Sequence, residues 1–142
     1  MPRIERSATV EWEGSVARGG GTITGDTGAF ARLPFSLPSR IGDPDGKTSP
    51  EELLAAATAG CFAMSLGSEL ARDGTPPERL EVHCTIVMDE VPDEGHQIVG
   101  AQLSVHVEGA EVADATLERA DQGCPFSTLL RKAGASVDVS RS

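Results

Sequence analysis

The feature that most constrains the fold is an uncharged segment, residues 53–68, which lies between Glu52 and Glu69. It is apolar or small on nearly every side, a pattern that predicts a helix covered by the rest of the protein. The preceding Ser49-Pro50-Glu51-Glu52 is typical of a helix start, and Gly74 followed by two prolines ends the helix. The sequence therefore predicts a long central helix, shorter in its apolar part than the roughly 20 residues of a membrane span.

Alternating patterns on both sides of this helix predict β-strands. Ala8, Val10 and Trp12 alternate with polar residues and are expected to face inward. A short meander is expected up to Leu33, followed by a loop rich in proline and glycine that holds Arg40. After the central helix we expect a long hairpin, two short helices and a last strand, over residues 80–89, 99–107, 113–122, 125–132 and 135–139.

This order of elements predicts an α+β fold with antiparallel sheets around the central helix. At 142 residues the chain has the length of one domain, so we expect a single domain over residues 1–142.

Charge and cysteine content exclude several classes of protein. The chain has 12 basic and 22 acidic residues, and its net charge of -10 would repel nucleic acids and anionic lipid surfaces. We therefore expect neither a nucleic acid nor a membrane as partner. Three cysteines are too few for a disulfide scaffold, and residues 1–6 lack the apolar run of a targeting signal, so we expect a cytoplasmic protein. Cysteine and histidine spacings fit no zinc site, and we expect neither metal nor cofactor.

The three cysteines lie in different settings. Cys61 lies in the middle of the central helix, on a stripe predicted to face the packing partner of the helix, with Leu54, Ala57 and Met64. Cys124 lies in Gly123-Cys124-Pro125, a helix cap whose free backbone N–H groups favour a thiolate. Cys84 is expected in the core. Cys61 and Cys124 are either a peroxide-reactive pair or two ordinary packing and turn cysteines.

Three motifs together resemble the OsmC/Ohr family of thiol peroxidases. They are Ser-Pro-Glu-Glu-Leu-Leu at 49–54, Ala-Gly-Cys-Phe-Ala-Met-Ser-Leu at 59–66 and Gly-Cys-Pro-Phe-Ser at 123–127. The resemblance also takes in Val-Glu-Trp-Glu-Gly at 10–14, the loop at 34–40 and the closing strand, so it covers nearly the whole chain, and it is greatest to the OsmC branch.

This resemblance implies an OsmC-like fold, an intertwined homodimer and the reduction of organic hydroperoxides. It implies that Cys61 is the attacking thiolate and that Cys124 is the resolving thiol. It also implies an arginine and a glutamate near the reactive sulfur, which map onto Arg40 and Glu51. Arg18, beside the three consecutive glycines, is the alternative site arginine.

The geometry of a helix adds an expectation about assembly. Glu51 and Cys61 are ten residues apart, which places them about 15 Å apart along one helix, too far to share a site. Two central helices that pack antiparallel across a two-fold axis would bring the start of one beside the middle of the other. We therefore expect a homodimer whose sites are completed across the interface.

An ionised sulfur inside a helix needs a nearby cation, because burial raises the pKa of a thiol. An arginine oriented by Glu51 suits this role, since it stays charged and its planar fork can hold both the thiolate and a peroxide oxygen. An apolar approach to the sulfurs is expected to favour bulky organic peroxides over hydrogen peroxide, and it is expected to be lined by Leu53, Leu54, Phe62, Met64, Phe126 and Leu129. A thiol or dithiol donor would then reduce the disulfide.

Two other readings of the residues remain open. The same fold could bind a small molecule in an apolar pocket and use its cysteines only for packing. It could also be a redox sensor that signals to a partner through its disulfide and turns over slowly.

Overall fold

The first part of the chain forms a small sheet. The computed structural model describes residues 2–142, which divide into two compact units, the first ending at Pro50 and the second covering Glu51–Ser142. The first unit contains three strands and a short helix: β1 (Ala8–Glu13), β2 (Gly20–Gly25), β3 (Leu33–Phe35) and α1 (Leu37–Ile41). Its strands pair antiparallel in the order β1-β2-β3, which confirms the expected meander.

A glycine makes the packing of this sheet possible. Gly21 lies opposite Trp12 in the β1·β2 ladder. A Cβ atom at Gly21 would lie 2.7 Å from Trp12 Cε3 and 2.8 Å from Phe35 Cε1. The two rings meet edge to face, with centroids 5.3 Å apart. Only a residue without a side chain allows both rings to cover this strand.

Three details of the first unit differ from expectation. Pro34 does not end the ladder but lies within the edge strand β3, where proline is tolerated. Arg40 lies in α1 rather than in a loop, because Ser36 caps a short helix that begins with Leu37 and Pro38. Val10 is 53% exposed and Ala8 is exposed as well, so the predicted inward face of β1 is covered within this chain only at Trp12, which packs against Phe35.

The second unit holds the long helix and a second sheet. Helix α2 covers Pro50–Arg72, as the start and stop signals predicted. Strands β4 (Arg79–Val91) and β5 (Gly95–Glu108) form the expected hairpin. Helices α3 (Asp114–Gln122) and α4 (Pro125–Lys132) then lead to β6 (Ser136–Arg141).

The direction of the last strand corrects the expectation of antiparallel sheets. The sheet has the order β4-β5-β6, and β6 runs parallel to β5. Two helices separate these strands in sequence, and a crossover of this kind returns the chain to the starting end of the sheet. Alternation along β6 predicts a strand but carries no information on its direction.

One face of α2 packs into the core of the second unit. Thr58, Phe62, Leu66 and Leu70 are at most 1% exposed, and the core also takes side chains from β5, α3, α4 and β6. The predicted packing stripe faces the core of its own chain only in part: Leu54 and Cys61 pack against the core, whereas Met64 is 77% exposed and Ala57 is exposed as well. A helix that is apolar all round does not show in its sequence which face its own chain covers. The length and composition of α2 would also allow it to cross a membrane, but the core helix of a soluble protein can have the same length and composition.

Candidate active site

The structure brings Cys61 and Cys124 together. Cys61 projects from α2, and Cys124 lies at the corner where α3 ends and α4 begins. Cys124 is fully buried, whereas Cys61 is partly exposed. Both thiols are free, and their side chains share a hydrogen bond. Two sulfurs at hydrogen-bonding distance need only a small movement to form a disulfide.

A second contact fixes the position of α2 against this corner. Ser65, one helical turn after Cys61, donates a hydrogen bond of 2.6 Å to the backbone oxygen of Ala120. Gly123 ends α3 beside it, and a Cβ atom there would lie 3.3 Å from Ser65 Oγ. The glycine in Gly123-Cys124-Pro125 therefore allows the two helices to approach closely at the cysteine pair.

The surroundings of Cys61 favour its neutral form. Burial raises the pKa of the Cys61 thiol, and the hydrogen bond with Cys124 raises it further. The backbone N–H of Phe126, in the first turn of α4, donates a hydrogen bond to Cys61 and lowers this pKa. From the sequence we expected the free N–H groups of this cap to stabilise the Cys124 thiolate, but the N–H of Phe126 donates to Cys61 instead. Because the pKa remains raised on balance, a further positive group nearby would favour ionisation of Cys61.

Cys84 lies near the pair but not in it. It is half-buried and packs against the core cluster that contains Cys124, which confirms its predicted place on the inward face of β4. Burial raises the pKa of the Cys84 thiol, and the charge of Cys124 raises it further. A position this close to Cys124 makes Cys84 a matched control for the pair.

Two buried polar atoms flank Cys124, and the sequence analysis missed both. Among the buried side-chain atoms of residues 2–142, Asp121 Oδ1 and Ser127 Oγ have no hydrogen-bond partner. They lie three residues before and three residues after Cys124. The other oxygen of Asp121 forms an ion pair with Arg131, which also donates a 3.0 Å hydrogen bond to the backbone oxygen of Val137. The serine could have been found from its place in Cys124-Pro125-Phe126-Ser127, the spacing of a helix cap and its third position.

The charged residues assigned to the site lie in separate parts of the chain. Glu51 lies in the first turn of α2, so within one chain it stays about 15 Å from Cys61 along the helix. Arg40 belongs to the first unit, where it lines a pocket of about 200 Å³ with mostly apolar walls, including Trp12, Phe35 and Leu37. Arg18 is exposed in the turn before β2, where its backbone N–H donates a 3.2 Å hydrogen bond to Ser15 Oγ.

The structure removes one residue, Phe62, from the predicted apolar approach. Phe62 is fully buried in the core and cannot line a path to the sulfurs. Leu54 and Phe126 are half-buried beside the core, and Leu129 is 60% exposed. Phe62 lies on the covered face of α2, which an apolar sequence does not distinguish from the other faces. No group of three or more metal-ligating side chains occurs within residues 2–142.

Comparisons with known proteins agree with this fold and with the family that the motifs resemble. The family model described as OsmC-like protein matches residues 42–140. Peroxiredoxin OsmC of Escherichia coli is 32% identical, over 90% of this chain and 91% of its own. Organic hydroperoxide resistance protein-like 2 of Staphylococcus epidermidis is 31% identical, over 74% of each chain.

Solved structures extend the likeness of fold to nearly the full length of the chain. A crystal structure of an organic hydroperoxide resistance protein OsmC from Legionella pneumophila superposes with a TM-score of 0.77. It covers 99% of each chain at 23% sequence identity. With the match of the family model and the identity to the Escherichia coli protein, these findings show that the chain belongs to the OsmC family.

Proposed function

We propose that this protein is a thiol peroxidase that reduces organic hydroperoxides to alcohols through Cys61 and Cys124. The observation that carries the proposal is the hydrogen bond between these two thiols at the junction of α2, α3 and α4. Relatives named peroxiredoxin OsmC and organic hydroperoxide resistance protein support a peroxidase-type activity. The roles of the two cysteines are those that the resemblance of the motifs implies, and the closeness of the two thiols supports them.

The reaction has two steps within the protein. Cys61 loses its proton, and its thiolate attacks an oxygen of the peroxide, so that an S–O bond forms as the O–O bond breaks. The leaving alkoxide takes up the proton that Cys61 lost and departs as the alcohol, while Cys61 becomes a sulfenic acid. The sulfur of Cys124 then attacks the sulfur of Cys61, and the S–O bond breaks with the release of water. The partial exposure of Cys61 gives a peroxide access, whereas the full burial of Cys124 keeps solutes from it.

A positive group near Cys61 would favour the first step, since the pKa of Cys61 is raised. We propose that Arg40 supplies this charge, that Glu51 orients the guanidinium, and that Arg18 is the alternative if Arg40 is not required. Arginine remains protonated and can hold a thiolate and a peroxide oxygen together. Arg40→Met should then reduce the rate of peroxide reduction far more than Arg18→Met, and the reverse result would assign the role to Arg18.

Assembly follows from the same geometry. Glu51 cannot reach Cys61 of its own helix, and the uncovered face of α2 is apolar or small, with Ala56, Ala57, Gly60 and Met64 all exposed. We propose that two copies of α2 pack antiparallel through this face, so that Glu51 of one chain serves Cys61 of the other. The protein would then act as a homodimer.

Organic peroxides are the proposed substrates. Phe126, whose backbone N–H interacts with Cys61, and Leu54, on the same helix as Cys61, are both half-buried apolar residues. Such apolar surface binds an alkyl group but adds little to the binding of hydrogen peroxide. The resulting disulfide would be reduced by a thiol or dithiol donor, in keeping with a cytoplasmic protein.

Steady-state reduction of cumene hydroperoxide and hydrogen peroxide, with dithiothreitol as donor, tests the proposal. The kcat/KM for cumene hydroperoxide should be higher by at least about tenfold, since a hydrophobic pocket gains about 1–3 kcal/mol from added apolar groups. Cys61→Ser should abolish turnover and Cys124→Ser should reduce it, whereas Cys84→Ser should retain it. A wild type without activity, or an active Cys61→Ser variant, would refute the proposal.

A further inference from the structure

The start of α4 has residues that can form hydrogen bonds at the two positions whose side chains pair in a capping box. Cys124 is the N-cap of α4, and Ser127 is its third helical residue. Helix α1 shows what this spacing allows, because Ser36 and Ser39 occupy the equivalent positions there. Their side-chain oxygens lie 2.8 Å apart, and Ser36 Oγ accepts a hydrogen bond from the backbone N–H of Ser39. The same spacing brings the Cys124 sulfur and the Ser127 hydroxyl to one end of α4.

In α4 this pairing is not made in the thiol state. The Cys124 side chain makes no capping hydrogen bond, and Ser127 Oγ has no partner among the described residues. Both residues are fully buried, so neither side chain is in contact with solvent. A buried hydroxyl without a hydrogen-bond partner destabilises the folded protein. Its presence suggests that it forms a hydrogen bond in another state of the protein.

We propose that Ser127 is a further catalytic residue of the resolving step, whose hydroxyl donates a hydrogen bond to the Cys124 sulfur while that sulfur attacks Cys61. The inference rests on the proposed function and adds to it a donor for the second step.

The chemistry of the step explains why a donor is needed. Cys124 loses its proton, its sulfur attacks the sulfur of the Cys61 sulfenic acid, and an S–S bond forms as the S–O bond breaks. The hydroxide that leaves takes up the proton lost by Cys124 and departs as water. During the attack the Cys124 sulfur carries negative charge in a site without solvent contact, where a charge needs a hydrogen-bond donor.

Ser127 fits this role better than the other groups around Cys124. The Phe126 N–H already donates to Cys61. The Asp121 carboxylate is held by Arg131, and an ionised carboxylate only accepts hydrogen bonds and would repel a negative sulfur. The Ser127 hydroxyl is neutral, can donate, and lies one turn along α4 on the same buried side as Cys124.

A single-turnover experiment separates the two steps. The full-length protein is mixed with one equivalent of cumene hydroperoxide, and both the loss of peroxide and the appearance of the disulfide are followed by acid quench and mass spectrometry. Ser127→Ala should slow disulfide formation about tenfold, as expected for a lost hydrogen bond to a charged group, and should let sulfenic acid accumulate. The rate of peroxide loss should not change.

Two further variants guard against a merely structural effect. Thr128→Ala, at the next position and on a half-buried side chain, should leave both rates unchanged. Ser127→Thr keeps the hydroxyl and should form the disulfide faster than Ser127→Ala. An unchanged disulfide rate in Ser127→Ala, or an equal fall in both rates, would overturn the inference alone. A wild type that forms neither sulfenic acid nor disulfide would overturn the proposed function and the inference with it.

Discussion

The two cysteines of the site differ in what each one needs to react. Cys61 can be reached by a substrate, but burial and its bond with Cys124 raise its pKa. Cys124 is shielded from solutes and has neighbours three residues away on either side with unused polar atoms. The arrangement suits a first step that a nearby cation favours and a second step in which the Ser127 hydroxyl is the donor.

The buried thiols give a prediction for stability at alkaline pH. The pKa values of Cys61 and Cys84 are both raised, so the folded state prefers their protonated forms more than the unfolded chain does. The stability that results is fully present below the ordinary thiol pKa of about 8.5 and is lost as pH rises through the raised values. Urea unfolding of reduced protein between pH 7 and 10.5 should show this loss.

The control for this effect is Cys84→Ser, which removes one of the two titrating thiols. Its free energy of unfolding should fall less between the two ends of the pH range than that of the wild type. An equal fall in both proteins would show that Cys84 does not contribute to the effect.

At the scale of elements, start and stop signals predicted the helices better than periodicity predicted their faces. The boundaries of α2 and the break between α3 and α4 follow from prolines, glycines and caps, which act locally. The covered face of α2 depends on where the sheet and α3 lie, which no local pattern shows. For the same reason the sequence indicated the cysteine pair but not the Phe126 N–H bond to Cys61 or the unpartnered Ser127 hydroxyl.

Truncation of a core residue of α2 should show which face carries the stability. Phe62 is fully buried in the core, so Phe62→Ala should lower the free energy of unfolding by about 3–5 kcal/mol. Leu129→Ala, at a side chain that is 60% exposed, should change it by no more than about 0.5 kcal/mol. Chemical denaturation of both variants measures the difference. Equal losses would contradict the assignment of the covered face.

At the scale of the whole molecule, the position of Glu51 in the first turn of α2 bears on assembly. The uncovered face of α2 and the separation of Glu51 from Cys61 both call for a second chain. The resemblance of the motifs predicted such a dimer, and it remains a prediction for this protein.

A charge on the uncovered face of α2 tests the dimer. Met64→Glu would bury an unpaired carboxylate in the interface, a cost of about 3 kcal/mol or more, which weakens association at least about 100-fold. Sedimentation should then show a monomer, and peroxide reduction should fall with it. Gln102→Glu, on the exposed side of β5, should stay dimeric and active. A wild type that is monomeric and fully active would contradict the proposed assembly.

The most direct test of the central claim is the disulfide that forms after one turnover. Reduced protein is treated with one equivalent of cumene hydroperoxide, its free thiols are alkylated, and peptides are mapped by mass spectrometry. We predict one disulfide between Cys61 and Cys124 within the same chain, with Cys84 recovered as a free, alkylated thiol. A disulfide that includes Cys84, one between two chains, or full recovery of all three thiols would contradict it.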